Sequence, residues 1–397
     1  MRLSYLFTCL LLALVVLNCS KSKDNAYQAN LNDIPEEIKT LENLKVFSFE
    51  KTPSEKVEFT RQDTFGEMYI QLLPPTRGFG PSNAVDKDGR VFRVDGGKTF
   101  IHVYNSDGGK SEDIGREGRG PGEFLRIDAI HTSNDKLFIY DSNLIRLSIF
   151  SLQNLELLKI INFDTQMYSS IEAVKVPIPG TVIPFTENSM LIALFLDTEI
   201  RGYGYHLVDY AGDLITQKNI LKVQSSKMHN GRLKNGGLAG ISLPFSNKGL
   251  IAVSSDKIYT TNSKEIVIQV LNSEGKNENT IYYPFKNDPL EDQEVLDKFH
   301  PNIHSVVKSA EYPETWPALD NLLVDDEGRI WIAKIVDDKS IHQWSVLESS
   351  GELKASFEWP AEHSIKIIKN GKIYVEEIDL EVLSKHLKSY EFEFSNF

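Results

Sequence analysis

Residues 86–95 read DKDGRVFRVD, and residues 324–333 read VDDEGRIWIA. Both stretches combine an acidic turn ending in Gly-Arg with a run of aliphatic and aromatic residues, a pattern typical of a tight turn that enters a β-strand. The order of turn and strands around the first stretch recurs further along the chain. Asp95 corresponds to Asp141 and Val103 to Ile149, a constant offset of 46 residues. The chain therefore contains a repeated antiparallel unit.

Weaker copies of this unit fill the rest of the chain, so that six units begin near residues 82, 126, 181, 244, 319 and 363. A closed ring of four-stranded sheets is one arrangement that such repeats adopt. The sequence predicts an all-β fold, a six-bladed β-propeller over residues 34–397, with an open β-sandwich or two β domains as alternatives. Residues 390–394 alternate as a strand, and either residues 44–49 or residues 57–60 could pair beside them to close the ring.

One segment breaks the β pattern. Asp288 and Pro289 suit the start of a helix, and apolar residues then recur at roughly helical spacing up to Val307, interrupted by Pro301. This predicts a short helical insertion at about residues 288–310. The insertion would either cover one face of the ring or fill a gap between blades.

A glycine-rich stretch, residues 114–124, reads IGREGRGPGEF. Its glycines permit positive φ, its proline fixes the backbone, and its glutamate can accept hydrogen bonds from the amides of a tight turn. It lacks the Lys-Ser/Thr ending of a phosphate loop and leads into a strand instead of a helix. The predicted structural turn motif, an inter-blade connector, consists of Gly118, Gly120, Pro121, Gly122 and Glu123.

With these repeats, the chain resembles the bacterial six-bladed β-propeller lipoproteins, relatives of the NHL-repeat propellers. The most specific likeness is the Gly-x-x-Gly-x-Gly-Pro-Gly-Glu-aromatic turn at residues 115–124, and residues 34–44 and 316–319 are also similar to the family. Residues 141–150 match the third-strand pattern of NHL repeats only loosely. The resemblance implies a propeller held at a membrane, with one face free for binding.

The N-terminus has the pattern of an export signal. Arg2 precedes an apolar run over residues 3–17, which is shorter than the roughly 20 residues needed to span a bilayer. Residues 16–19 read VLNC and resemble the lipobox of bacterial lipoproteins, in which the cysteine is acylated and becomes the new N-terminus. We therefore predict a signal peptide at 1–18 and a lipidated Cys19 with a flexible tether over 19–33. An uncleaved anchor or a chance cysteine is the alternative.

Composition and motifs restrict the chemistry. The formal net charge is −13, and without an evident cluster of Lys and Arg neither nucleic acid nor an anionic lipid surface is an expected partner. Cys9 lies in the predicted signal and Cys19 is its predicted lipidation site, so no disulfide is expected. His300 and His304 lie four apart, yet no third metal ligand is evident. The acids of the blade turns are interpreted as hairpin residues: Asp86, Asp88, Asp325, Asp326 and Glu327.

No catalytic residue, metal site or cofactor is predicted. The expected function is a binding or scaffold module for a protein, peptide or glycan, anchored by lipid to the outer membrane and facing the periplasm. The alternatives are a metal-dependent lactonase or hydrolase of the propeller type, and a purely structural envelope component. Enzyme activity is the less favoured interpretation. A lactonase would need carboxylate and amide side chains that converge in the central channel.

Overall fold

The computed structural model describes residues 34–69, 79–198, 201–234, 236–243, 245–379 and 384–397. The predicted signal peptide, Cys19 and the predicted tether lie outside the described residues. Within the described residues, no helix is long and apolar enough to cross a membrane. The described chain opens with elements that precede the first blade: α1 (Glu36–Lys39), β1 (Leu44–Val46) and β2 (Glu55–Tyr69).

Six blades, each with four antiparallel strands, follow one another around a ring, so the predicted six-bladed β-propeller is confirmed. In blades 1 to 5 the strands run in chain order from the inside of the ring to the outside. The strands of blade 1 are β3 (Asn83–Val85), β4 (Val91–Val94), β5 (Ile101–Tyr104) and β6 (Lys110–Ile114). Those of blade 2 are β7 (Ile127–Ser133), β8 (Lys136–Asp141), β9 (Arg146–Ser151) and β10 (Leu157–Asn162).

Two further elements accompany blade 3. The helix α2 (Thr165–Ser169) precedes blade 3. The strands of this blade are β11 (Val174–Pro184), β12 (Ser189–Leu196), β13 (Gly202–Asp209) and β14 (Leu221–Gln224). A separate two-stranded hairpin, β15 (Met228–Arg232) and β16 (Leu238–Ser242), lies between blades 3 and 4. The strands of blade 4 are β17 (Gly249–Ser254), β18 (Lys257–Asn262), β19 (Ile266–Leu271) and β20 (Asn277–Tyr283).

The helical segment lies between blades 4 and 5 and consists of α3 (Asp292–Asp297), a 3₁₀ turn (Pro301–Ile303) and α4 (His304–Val307). Blade 5 is formed by β21 (Leu319–Val324), β22 (Ile330–Ile335), β23 (Ile341–Leu347) and β24 (Leu353–Pro360). Blade 6 takes its three inner strands from the C-terminus: β25 (Ser364–Lys369), β26 (Lys372–Asp379) and β27 (Ser384–Asn396).

The N-terminal strand β2 closes the ring as the outer strand of blade 6. It pairs antiparallel with β27, from Glu55 opposite Asn396 to Tyr69 opposite Ser384. Of the two segments considered from the sequence, residues 57–60 therefore supply the closing strand. Residues 44–46 instead add a fifth, parallel strand to blade 4, with Leu44 opposite Thr280.

The repeated Asp-x-x-Gly-Arg turn has the same structure in both copies. Asp86 accepts hydrogen bonds from the backbone amides of Asp88 (3.0 Å) and Arg90 (2.9 Å), and it pairs with the Arg90 Nε at 2.7 Å. Asp325 accepts from the Arg329 amide at 2.8 Å and pairs with its Nε at 2.7 Å. Each buried carboxylate thus fixes the turn between the first two strands of its blade.

The core consists of apolar layers between neighbouring blades, because both faces of each sheet pack against another blade. Trp331 of blade 5 has no exposed surface and meets Phe392 of blade 6 edge to face, with ring centroids 5.1 Å apart. Full burial of a large apolar side chain contributes roughly 1.5–3 kcal/mol. Hydrogen bonds also cross the seams: the Tyr140 hydroxyl donates to the Pro179 carbonyl at 2.6 Å.

The helical segment begins later than the sequence indicated. Asp288 is not the N-cap, because the first helix starts at Asp292 behind Glu291 and forms a capping box with Glu294. Residues 288–290 are held extended instead: the Leu290 amide donates to the Glu314 carbonyl at 2.9 Å.

The apolar side chains of this segment, such as Val295 and Val306, pack with Leu243, Phe245 and Trp316. The two helices and the β15–β16 hairpin therefore form one satellite core beside the ring.

Candidate functional site: the central channel

Two faces of the ring are distinguished by their loops. The turn between the first two strands of every blade lies on one face, here named the turn face. The connections from the outer strand of one blade to the inner strand of the next lie on the other, named the connector face. The glycine-rich turn at residues 115–124, the hairpin and the helical segment all belong to the connector face.

A cavity of about 940 Å³ runs along the ring axis. The inner strands of all six blades line it, through Asn83, His131, Thr181, Ile251, Leu323 and Lys366 among others. None of the described lining residues comes from the helical segment, so that segment packs beside the ring and does not cover this cavity. The cavity reaches exposed residues of the turn face, including Glu187 and Asp256.

Residues 79–81 line the cavity and lead into blade 1. The Phe79 amide donates to the Gly180 carbonyl of blade 3 at 2.6 Å, and the Pro81 carbonyl accepts from the Ile130 amide of blade 2 at 2.9 Å. A side chain at Gly80 would lie 2.4 Å from the Ala129 Cβ. This short segment therefore contacts the inner strands of blades 3 and 2 before it enters blade 1.

Three polar atoms around this segment have no hydrogen-bond partner within the described part of the chain. They are the Asn83 Oδ1, the His131 Nε2 and the Thr181 Oγ1, from blades 1, 2 and 3. Asn83 is only 5% exposed and Thr181 only 2%. Buried polar atoms are nearly always hydrogen-bonded in folded proteins, and leaving one unpaired costs about 1–3 kcal/mol. All three residues line the cavity, while the unpartnered atoms themselves are buried.

His131 is neutral under ordinary conditions. Burial among the inner strands lowers its pKa to about 4, because the protonated ring would lose its hydration without gaining a carboxylate partner. A neutral imidazole offers one donor and one acceptor nitrogen. The three polar groups named above are thus uncharged.

Two charged side chains at the turn-face end form contacts between blades. Lys369 donates from its Nζ to the Val85 carbonyl at 2.9 Å, and burial lowers the pKa of this lysine. Asp326 accepts from the Asn370 amide at 2.9 Å. These contacts join blades 5, 6 and 1 around the mouth of the cavity.

The metal ligands that a lactonase would need do not converge within the described part of the chain. Among the described residues, no group of three or more His, Cys, Asp or Glu side chains could hold a metal ion. The two histidines of the helical segment are engaged locally: His304 Nε2 lies 2.8 Å from the Phe299 carbonyl, and His300 Nδ1 accepts from the Asn302 amide at 3.3 Å.

The predicted turn motif joins β6 to β7. The Gly120 amide donates to the Glu123 Oε2 at 2.7 Å, and this contact together with Arg116 lowers the pKa of the Glu123 carboxyl. The Arg146 guanidinium donates to the carbonyls of Arg119 (3.0 Å) and Gly120 (3.2 Å). The motif therefore lies on the connector face, held by its own glutamate and by blade 2. None of its residues lines the channel cavity.

The sequence did not single out the channel residues. Asn83, His131 and Thr181 stand in ordinary strand patterns, and nothing in their spacing marks them. The signal that could have found them is positional, since each belongs to the inner strand of its blade.

Comparisons with known proteins agree with this architecture. Residues 35–178 match the family model DUF5128, described as a 6-bladed beta-propeller. No curated protein matches the chain. A Bacteroides fragilis protein described as exported is similar in structure, with 9% identity, a TM-score of 0.49, and coverage of 89% of this chain and 100% of that one.

A member of the DUF4221 family from Bacteroides vulgatus has 13% identity and a TM-score of 0.41, covering 87% of this chain and 100% of that one. A streptogramin B lyase has 10% identity and a TM-score of 0.38, covering 85% and 98%. The resemblance to six-bladed propellers is confirmed: residues 35–178 match a model described as a 6-bladed beta-propeller, and the described chain forms a ring of six blades.

Proposed function

We propose that this chain is a lipid-anchored binding protein of the bacterial cell envelope, and that its central channel holds a neutral, hydroxyl-rich ligand such as part of a glycan. The observation that carries the proposal is a cavity of about 940 Å³ lined by Asn83, His131 and Thr181, each of which has a buried polar atom without a hydrogen-bond partner among the described residues. A cavity of this size is typical of sites for small molecules.

The chemistry of these three polar groups indicates which class of ligand would fit. An amide oxygen, a neutral imidazole and a hydroxyl pair well with hydroxyl groups and offer no compensation for a buried charge. Apolar side chains such as Phe185 line the same cavity and can contact the carbon faces of a sugar ring. A neutral saccharide therefore suits this part of the channel better than a phosphate or an acidic peptide.

The envelope location rests on the sequence. The apolar segment 3–17 and the VLNC stretch support export and acylation at Cys19, and we propose attachment to the outer membrane on its periplasmic side. A lactonase receives no support from the described residues, since no metal-ligand group is present among them.

The test is calorimetric titration with neutral saccharides, using maltose, cellobiose and N-acetylglucosamine as probes. Thr181→Val removes only the unpartnered hydroxyl, so we expect weaker binding at unchanged or higher stability. The matched control is Thr280→Val, because the Thr280 hydroxyl donates to the Glu42 carbonyl at 2.8 Å away from the channel. That variant should lose about 1 kcal/mol of stability and bind normally. Absence of binding to every probe, or equal binding by Thr181→Val, would contradict the proposal.

A further inference from the structure

The stretch that runs from the last strand of blade 3 to the first strand of blade 4 differs in charge from the rest of the chain. From Leu214 to Ser255 it carries six Lys and Arg residues and no Asp or Glu, although the whole chain has a net charge of −13. The six are Lys218, Lys222, Lys227, Arg232, Lys234 and Lys248. The cations are spread along the segment, so no continuous basic run reveals them.

The β15–β16 hairpin lies inside this segment and has two unlike faces. One face packs on the helical segment: His229 Nε2 lies 3.0 Å from the Ser309 hydroxyl, and a side chain at Gly231 would lie 2.8 Å from Val306. The other face is open. Met228 is 53% exposed and Leu238 is 76% exposed, and Arg232 stands directly opposite Leu238 in the register.

We propose that this open face docks on the anionic surface of a phospholipid bilayer. The face is defined by Met228, Asn230, Arg232, Lys234, Leu238, Gly240 and Ser242. Exposed apolar side chains set among Lys and Arg are the composition of elements that lie in the interface of a membrane. Each cation near an anionic leaflet contributes about 1 kcal/mol to binding, which corresponds to roughly fivefold in affinity. The surface thus complements a bilayer in both charge and hydrophobicity.

The position at which the described chain begins supports a bilayer as the partner of this face. Ile34 and Ile38 pack on Tyr282 at the connector-face end of blade 4. Ile38 also lines a groove of about 900 Å³ between blades 3 and 4, together with Gln224, the last residue of the strand before the hairpin. A polar linker of about 15 residues spans roughly 20 Å on average. The inference rests on the proposed acylation of Cys19, which would keep this face near the bilayer.

Such docking would orient the whole ring. The hairpin belongs to the connector face, whereas the channel cavity reaches exposed residues of the turn face. With the connector face on the membrane, the mouth of the channel would face away from it and stay accessible to a ligand. The inference itself does not depend on what the channel binds.

The test uses residues 20–397, which contain every described residue and the closed ring but neither the signal segment nor the acylated cysteine. This chain is sedimented with vesicles of phosphatidylglycerol and phosphatidylethanolamine, and with vesicles of phosphatidylcholine alone. We expect binding to the anionic vesicles only, weakened by salt. The double variant Arg232→Glu with Lys234→Glu should lower the partition coefficient at least tenfold, and Leu238→Ser should lower it by a smaller factor.

The matched control is Lys136→Glu with Lys276→Glu, two exposed lysines on the turn face. It changes the net charge equally and should leave vesicle binding unchanged. Equal loss in both double variants, equal binding to both vesicle types, or no binding at all would overturn the inference. The absence of any vesicle binding is the result expected if the true partner of this face is an acidic protein or glycan. Failure of acylation at Cys19 would be detected separately, because this assay contains no acyl chain.

Discussion

The guanidinium of Arg93 donates to the carbonyl oxygen of Phe65 at 2.8 Å, across the seam between the first blade and the strand that closes the ring. The same side chain also donates to the carbonyls of Gly66 (2.8 Å) and Lys385 (2.9 Å). Arg93 is only 1% exposed, and its burial lowers its pKa. This buried cation therefore ties blade 1 to β2, the outer strand of blade 6, and to its neighbour β27.

Replacing this arginine should weaken the closure. Arg93→Met keeps an unbranched apolar stem but leaves three carbonyls without their donors, so we expect the free energy of unfolding to fall by at least about 3 kcal/mol. Denaturant titration measures this. Arg61→Met, at an exposed site in β2, should change stability by about 0.5 kcal/mol or less. Similar losses in both variants would show that the buried contacts have no special role.

The start of the glycine-rich turn offers a steric test. Gly115 has φ +87°, and a Cβ there would lie 2.6 Å from the buried Phe124 ring. Gly122 has φ +74° with nothing within 4 Å of its Cβ position. Gly122→Ala should therefore cost only the backbone strain of about 1–2 kcal/mol, and Gly115→Ala clearly more. Equal losses in thermal unfolding would argue against close packing of Phe124.

Acid should destabilise the protein partly through His131. Its folded pKa of about 4 lies below the ordinary value of 6.5, so between these pH values the unfolded chain takes up a proton that the folded chain does not. Stability from this residue is therefore lost as the pH falls from about 6.5 to 4. His131→Gln should lose less stability over this range than the parent chain. His300→Gln, at an exposed site, should show the same change of stability with pH as the parent chain. An equal change in both variants would contradict the attribution of this loss to His131.

Lys334 should oppose folding at neutral pH. It is 2% exposed, its Nζ lies 3.6 Å from the centre of the Phe49 ring, and burial lowers its pKa to about 8. Below pH 8 the folded chain bears the full cost of a buried charge, about 3 kcal/mol from the size of the shift. Stability from this residue rises between pH 8 and the unfolded value of 10.5.

Lys334→Met should therefore raise the free energy of unfolding at pH 7 and reduce its rise between pH 8 and 10.5. Lys136→Met, at an exposed site, serves as the control and should do neither. Lower stability of Lys334→Met at pH 7 would mean that the contact with Phe49 outweighs the cost of burial.

The proposed acylation makes its own prediction. Cys19→Ala should abolish incorporation of labelled palmitate and leave the signal segment uncleaved, so that a larger precursor accumulates. The control is a chain in which an ordinary secretory signal replaces residues 1–19, so that the exported protein begins at Ser20. This protein should appear in the soluble fraction of the periplasm. Palmitate labelling that survives Cys19→Ala would refute the anchor.

The sequence predicted the architecture well where one turn carries its own chemistry. Asp86 and Asp325 form the same hydrogen bonds, so their matching motifs located blades 1 and 5, and the other blades followed from spacing. It left two candidates for the closing strand, because residues 44–49 and 57–60 have similar strand character. Only the structure shows that residues 57–60 belong to the outer strand of blade 6, whereas residues 44–46 form a parallel strand beside blade 4.

The channel and the hairpin were harder to predict. Which side of an inner strand faces the ring axis depends on the twist of each blade, so His131 and Thr181 could not be distinguished from their neighbours. The hairpin has weak strand character and contains glycines at 231, 236, 237 and 240. Its charge could have been noticed, since the absence of acids from 214 to 255 is visible in the sequence even though no basic run is present.

The pairing of β2 with β27 also has a consequence for how the protein folds. A chain made from its N-terminus produces β2 early and its partner last, so blade 6 can assemble only after synthesis is complete. Contacts between such distant parts of a chain slow folding. Meanwhile β2 remains an unpaired edge, and its charged residues Glu55, Lys56, Glu58 and Arg61 suit that interval, because charges discourage an open strand from pairing with another chain. We therefore expect the pairing of β2 with β27 to be the slowest step of folding, and the unpaired edge of β2 to be the main site at which the incomplete chain could aggregate.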